Sequence, residues 1–355
     1  RTLANETDLV GRLQDSLGAR FGGVFSETHQ HVPRSTVVAA AAAAREAGAD
    51  ILVSFGGGSP VDTTKLVSLC LAADITDESE LGAYHFREEP DGLVFPELPP
   101  VTTPHIAVST TLSAGEYTLW AGATDTSRGV KDAYATGEFV PKLVILDPEL
   151  TVATPGWLWG STGMKAFDHA VETICSTVQI PFANALARGA VEILTENLVS
   201  SSKDPNDVAG RGLCQMAAWM SIFSLPSVAA GLSHALGHQL GAHCDVPHGV
   251  TSAILLPKVM EFNSSVNAAQ QRLVAEAMGI QTAGLDDAAA AQAAADKLRE
   301  IVSQLDVNTA LREWNVSDED MAAIGQDSLE DFMALTNPRK IETAVEVEDL
   351  LKSLY

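Results

Sequence analysis

Ile51-Leu52-Val53-Ser54-Phe55-Gly56-Gly57-Gly58-Ser59-Pro60 is a short apolar run closed by three glycines. The run has the length of a strand and is closed by turn residues. The glycines permit a tight turn and positive φ. Pro60 stands near the first turn of a following helix, where its missing N–H costs nothing. That helix pattern continues to Ala73. Upstream, the Ala-rich segment Ser35–Ala47 reads as a helix with Ser35 as its N-cap. Downstream, His105–Ser109 and Leu143–Leu146 are further apolar strands. Alternation of this kind predicts a parallel sheet with helical crossovers. Residues 74–104 are acidic and Pro-rich, and read as a surface insertion rather than a domain.

After Asp147-Pro148 the pattern changes to helical periods, as in Met164–Thr177, Phe182–Val199, Leu213–Phe223, Ala268–Met278 and Ala288–Leu305. An α/β domain over residues 1–150 and an all-α domain over residues 151–355 are therefore expected. The chain of 355 residues is long enough for both cores. Its 46 acidic residues against 22 basic ones give a net charge of -24, which argues against nucleic acid or an anionic membrane as partner. No apolar run approaches the roughly 20 residues that span a bilayer, and the N-terminus lacks the apolar core of a secretory signal. Cys70, Cys175, Cys214 and Cys244 are scattered without a CxxC pair, as in a reduced, cytoplasmic protein. Cys244 is expected to act as a small hydrophobe.

Two turns carry chemistry in the first half. In Gly56-Gly57-Gly58-Ser59, consecutive N–H groups can converge on an anion at the positive end of the next helix. The same four residues would also serve as a plain strand-to-helix turn, and they are not a GxGxxG fingerprint. Thr110-Thr111-Leu112-Ser113-Ala114-Gly115-Glu116-Tyr117-Thr118 is a second turn rich in hydroxyls, directly after a strand. Both fall at the carboxyl ends of strands, where doubly wound sheets bind ligands. Together they point to a nucleotide.

The second half holds four histidines between His234 and His248. His234 and His238 are spaced i, i+4 and share a helix face. Gly241 and Pro247 are expected to end that helix, leaving His248 in the loop beyond. His169 lies upstream in Ser161-Thr162-Gly163-Met164-Lys165-Ala166-Phe167-Asp168-His169-Ala170-Val171-Glu172. Imidazoles suit metal ligation or proton transfer near neutral pH. Lys165, one turn before His169, puts a cation where a metal site would want an anion.

With these motifs in order along nearly its whole length, the sequence resembles the iron-containing alcohol dehydrogenase family of the dehydroquinate-synthase-like fold. The carriers are Gly56–Lys65, Thr110–Glu116, Pro141–Pro148, Thr162–Glu172 and His234–His248. The compact Thr110–Glu116 loop looks most like the maleylacetate reductase branch. The resemblance implies an N-terminal dinucleotide-binding domain, a helical catalytic domain and a cleft between them. NAD or NADP would be the cofactor, contacted by Gly57, Gly58, Ser59, Asp62, Thr110, Thr111, Ser113, Thr118 and Lys131. His169, His234 and His248 fall on metal-ligand positions of the family, and His238 on a non-ligating histidine beside the nicotinamide. A homodimer acting on a small carbonyl or alcohol is implied. Two departures stand out. The family usually begins with a further strand–helix–strand segment, where NAD and NADP are told apart; none precedes Arg1 in this sequence, through truncation or true loss, so the choice of cofactor stays open. The 74–104 insertion is expected to serve as a lid or an oligomer contact.

Lys165 occupies the fourth ligand position, normally Asp. Asp168 is no simple substitute, because adjacent helical side chains diverge by about 100°. An ammonium beside three imidazoles repels a divalent cation, and lysine ligates only when deprotonated. Iron or zinc is therefore not expected; if a metal is kept, His169, His234 and His248 are its ligands. Lys165 is expected to stabilise the alkoxide-like charge that forms as hydride arrives, or to bind a substrate carboxylate. His238 or His248 then supplies the proton. The alternatives are a lyase or cyclase using the same site, or an inactive binding protein in which Lys165 pairs with Asp168 or Glu172.

Overall fold

The computed structural model describes residues 2–89, 92–223 and 225–355. They form two compact units that part between Ala153 and Thr154.

In the first unit the helices are α1 (Thr2–Glu6), α2 (Leu9–Leu17), α3 (Arg34–Glu46) and α4 (Gly58–Ala72). The strands are β1 (Leu52–Gly56), β2 (Arg87–Glu89), β3 (Gly92–Val94), β4 (His105–Ser109), β5 (Trp120–Asp125), β6 (Val130–Ala135) and β7 (Leu143–Ile145). β1, β4 and β7 lie parallel in that order, with Leu52 opposite His105 and Ile106 opposite Leu143. Side chains alternate across β1, so Leu52 and Ser54 are buried while Val53 is exposed. The core beside them is Val37 and Ala41 from α3 with Leu66, Leu69 and Cys70 from α4.

Two local expectations need correction here, and one pair of strands adds to them. α3 starts at Arg34 with Pro33 at its N-cap, so Ser35 lies inside the first turn. Residues 74–104 are not merely surface, because Ile75 and Leu81 are fully buried in this core. A capping box of Asp77 and Glu80 fixes the short turn of helix that delivers Leu81. The antiparallel pair β5–β6 was not foreseen. Its Asp125 and Asp132 receive the buried Arg34 guanidinium at 3.0 and 2.5 Å, which ties the hairpin to α3.

The second unit is helical, as its periodicity predicts: α5 (Gly156–Cys175), α6 (Pro181–Lys203), α7 (Val208–Phe223), α8 (Leu225–Val228), α9 (Leu232–Cys244), α10 (His248–Ala277), α11 (Asp287–Gln304), α12 (Asp318–Asp327), α13 (Phe332–Leu335) and α14 (Ala344–Lys352). α5 is buried along almost its whole length, with Trp159 and Phe167 in the core. Arg211 lies 4.5 Å over the Trp159 ring.

Two boundaries differ from expectation. Gly241 lies inside α9, which ends instead at Asp245 in the left-handed conformation. His248 is not in a loop; it is the first residue of α10, with Pro247 at the N-cap. Among the described residues no helix is long and apolar enough to cross a membrane.

Candidate functional site

The first unit brings the two sequence-predicted turns together. β1 ends at Gly56, whose φ of 146° excludes ordinary side chains. Gly57 then caps α4 and has no side chain of its own to bond that helix start. Its orphan N–H groups suit an anion. A Cβ on Gly57 would lie 2.8 Å from Thr111 Cγ2 and 2.9 Å from Thr111 Oγ1, so glycine lets the two turns abut. Thr111 donates to Ser113 Oγ at 3.2 Å.

Beneath this surface lies a residue that sequence reading quoted only as part of a motif. Lys65 is fully buried, and its Nζ donates to the carbonyls of Gly115, Thr118 and Trp120, each at 2.7 Å. Burial pushes its pKa down to about 8, against the pull of Asp62 and Glu116. The Thr118 hydroxyl donates to Gly115 O at 3.1 Å, so it too is turned into its own loop. Asp62 accepts the Gly122 N–H at 3.3 Å, and burial raises its pKa. The Lys131 stem crosses Gly122, where a Cβ would fall 2.5 Å from Lys131 Cε. Thr110 is buried.

The second unit gathers the other set. Lys165, Asp168, His169 and Glu172 follow one another at intervals of three, one and three residues on α5 and share a buried stripe. α9 contributes His234 and His238, and α10 contributes His248 and Ser252. The imidazoles of His169 and His234 stack with ring centres 5.2 Å apart, as do those of His238 and His248 at 5.1 Å. His234 lies 6.4 Å from His248 and 6.5 Å from His238.

Lys165 Nζ is 3.4 Å from Asp168 Oδ2, which also accepts the Ser252 hydroxyl at 2.7 Å. His234 Nδ1 lies 2.6 Å from Glu172 Oε2 and 3.6 Å from Asp168 Oδ2. Burial lowers the pKa of Lys165, and the neighbouring Asp168 and Glu172 oppose that shift. His169 is driven well below its usual pKa by burial, then by the nearby Lys165 and His234. His234 Nε2, His169 Nδ1 and Asp168 Oδ1 are buried without a hydrogen-bond partner. Sequence reading placed His169, His234, His238, His248 and Lys165 here, named Glu172 only as a possible partner of Lys165, and missed Ser252. The spacing of Glu172 from His169 placed it on the same α5 stripe; nothing local marked Ser252.

The first unit offers a strand–turn–helix with an open helix start, and the second a cluster of imidazoles beside a buried lysine. Residues 1–148 match the family model for iron-containing alcohol dehydrogenase, and residues 160–355 match that family's C-terminal model. The chain belongs to the iron-containing alcohol dehydrogenase family. It is 29% identical over 310 residues to an NAD-dependent methanol dehydrogenase of Bacillus methanolicus, covering 87% of this chain and 78% of that one. A crystal structure of 1,3-propanediol oxidoreductase superposes with a TM-score of 0.83 at 29% identity, over 94% of this chain and 84% of that one. Maleylacetate reductase from Rhizobium sp. strain MTP-10005 gives 0.76 at 27% identity, over 97% and 85%.

The family name implies iron. Among the described residues, Asp168, Glu172 and His234 have donor atoms within 4.8 Å of one another; His169 and His248 do not join such a group. The oxygens of Glu172 already accept the N–H groups of Gly231 and Ser233, both at 2.8 Å, besides His234 Nδ1.

Proposed function

We propose that this chain is an NAD(P)H-dependent reductase of a small carbonyl compound, reversible as an alcohol dehydrogenase, and that it works without a bound divalent cation. One observation carries the second part. Lys165 stands buried against Asp168 where the family resemblance places an anionic ligand. Ser252 holds Asp168 Oδ2, and His234 with backbone amides holds the Glu172 oxygens, while Asp168 Oδ1 has no hydrogen-bond partner. A divalent cation among these groups would meet the Lys165 ammonium at close range, so these residues do not fit it while Lys165 is charged.

The redox part is supported by family membership and by the NAD dependence of the methanol-oxidising relative. Gly57, Gly58 and Ser59 would hold the pyrophosphate through the uncapped start of α4, with Thr110, Thr111, Ser113 and Lys131 around it. Asp62, Thr118 and Lys65 act from below by fixing the loop. When bound, NAD(P)H supplies hydride to the carbonyl carbon. Lys165 donates to the carbonyl oxygen as it gains negative charge. His238 or His248 delivers the proton that completes the alcohol.

Fluorescence titration with NADH and NADPH, followed by aldehyde reduction before and after chelation, tests the reading. Saturable binding with chelator-resistant turnover is the expected result. Binding without turnover would favour a lyase or cyclase. No binding at all would favour an inactive protein, the reading to which the Lys165–Asp168 ion pair also lends itself.

A further inference from the structure

We propose that Glu172 is a positioning residue: its carboxylate presents His234 to the reacting group through Nε2 and locks the start of α9 behind it. The proposal rests on the oxidoreductase reading above. Glu172 lies on α5, one turn beyond His169, and is 8% exposed. Oε2 accepts the Gly231 N–H at 2.8 Å and faces His234 Nδ1 at 2.6 Å, while Oε1 accepts the Ser233 N–H at 2.8 Å. Asn337 Oδ1 takes the intervening Leu232 N–H at 3.2 Å. The opening amides of α9 are thus satisfied from outside the helix, and no side chain of Gly231 caps them. A carboxylate at this end also matches the positive end of the helix dipole.

The consequence for His234 is directional. An acceptor-only carboxylate at Nδ1 requires that nitrogen to carry the proton. The other nitrogen, Nε2, is buried and has no partner within the protein. One side chain therefore fixes both the ring orientation and the nitrogen left for chemistry. Gly231 is part of the device, because a Cβ there would lie 3.1 Å from both Glu172 Oε1 and Asn337 Oδ1.

Glutamine at position 172 keeps the shape but sets an NH2 against at least one N–H in either orientation. Histidine-selective 15N spectra, with NADH affinity and steady-state kinetics, read the effect. The wild-type neutral ring is expected to carry its proton on Nδ1. In Glu172→Gln the proton moves at least partly to Nε2, and kcat falls about 10- to 100-fold while NADH affinity holds. Gly231→Ala, which displaces the carboxylate without changing its chemistry, is expected to move both readouts the same way if Glu172→Gln does not fold. A wild-type ring protonated on Nε2, or full kcat in a variant that folds, overturns the proposal. Absence of any carbonyl reduction by the wild type would instead sink the oxidoreductase reading, and the 15N spectra would still decide the role of Glu172.

Discussion

Lys165 and Asp168 stand one turn apart on α5 with their charged atoms 3.4 Å apart, both buried. Removing either one alone takes the nearest opposite charge from a buried partner. Lys165→Met is expected to cost about 3–5 kcal/mol of stability, because it leaves a carboxylate buried with Ser252 as its remaining donor. It should also lower kcat by about 10²–10³-fold with NADH affinity unchanged. Adding Asp168→Asn should restore most of the stability and none of the rate. Urea unfolding beside steady-state kinetics separates the two effects; full activity in the single variant would remove Lys165 from the mechanism. His105 offers a second test at this scale. Its Nε2 pairs with Ser54 Oγ at 2.7 Å, and burial, helped by Lys65, pushes its pKa down to about 4 from 6.5. The unfolded chain therefore takes up this proton first. Stability is full above pH 6.5 and falls by about 3 kcal/mol as the pH drops to 4. His105→Gln should flatten that part of the curve, and an unchanged acid slope would contradict it.

At the level of elements, the glycine turn before α4 shows what the sequence could and could not tell. Its position between a strand and a helix was plain from the apolar run and Pro60. Its packing was not, since Thr111 reaches Gly57 from 54 residues away. Gly57→Ala is expected to push the two turns apart, cost about 1–3 kcal/mol and abolish measurable NADH binding by fluorescence titration. Retained affinity would mean that the turns need not abut. Long-range contacts account for most of what stayed hidden. The burial of Lys65 under three carbonyls and the reach of Glu172 to α9 depend on partners far along the chain. The β5–β6 hairpin escaped because Thr, Asp and Lys dilute its apolar alternation. His248 was misplaced for a local reason: Pro247 reads equally as the end of one helix and the N-cap of the next. The periodic helices and the apolar strands were legible because each repeats its own burial pattern.

For the molecule as a whole, family membership and the α/β-then-helical order agree with the sequence pattern, while the chemistry turns on one substituted position. Lysine at 165 replaces the expected anion, and the structure surrounds it with Asp168 and Glu172 rather than leaving it unbalanced. On the proposed reading, Lys165→Asp should create a divalent-cation site, measurable as more zinc or iron retained after dialysis than in the wild type. If Lys165→Asp retains no more metal than wild type, the lysine is not what excludes it. The central claim is tested most directly by NAD(P)H-dependent aldehyde reduction in wild-type protein stripped with a chelator and checked by elemental analysis. The account predicts an undiminished rate in metal-free protein. Activity lost on stripping and restored by ferrous iron or zinc would contradict it.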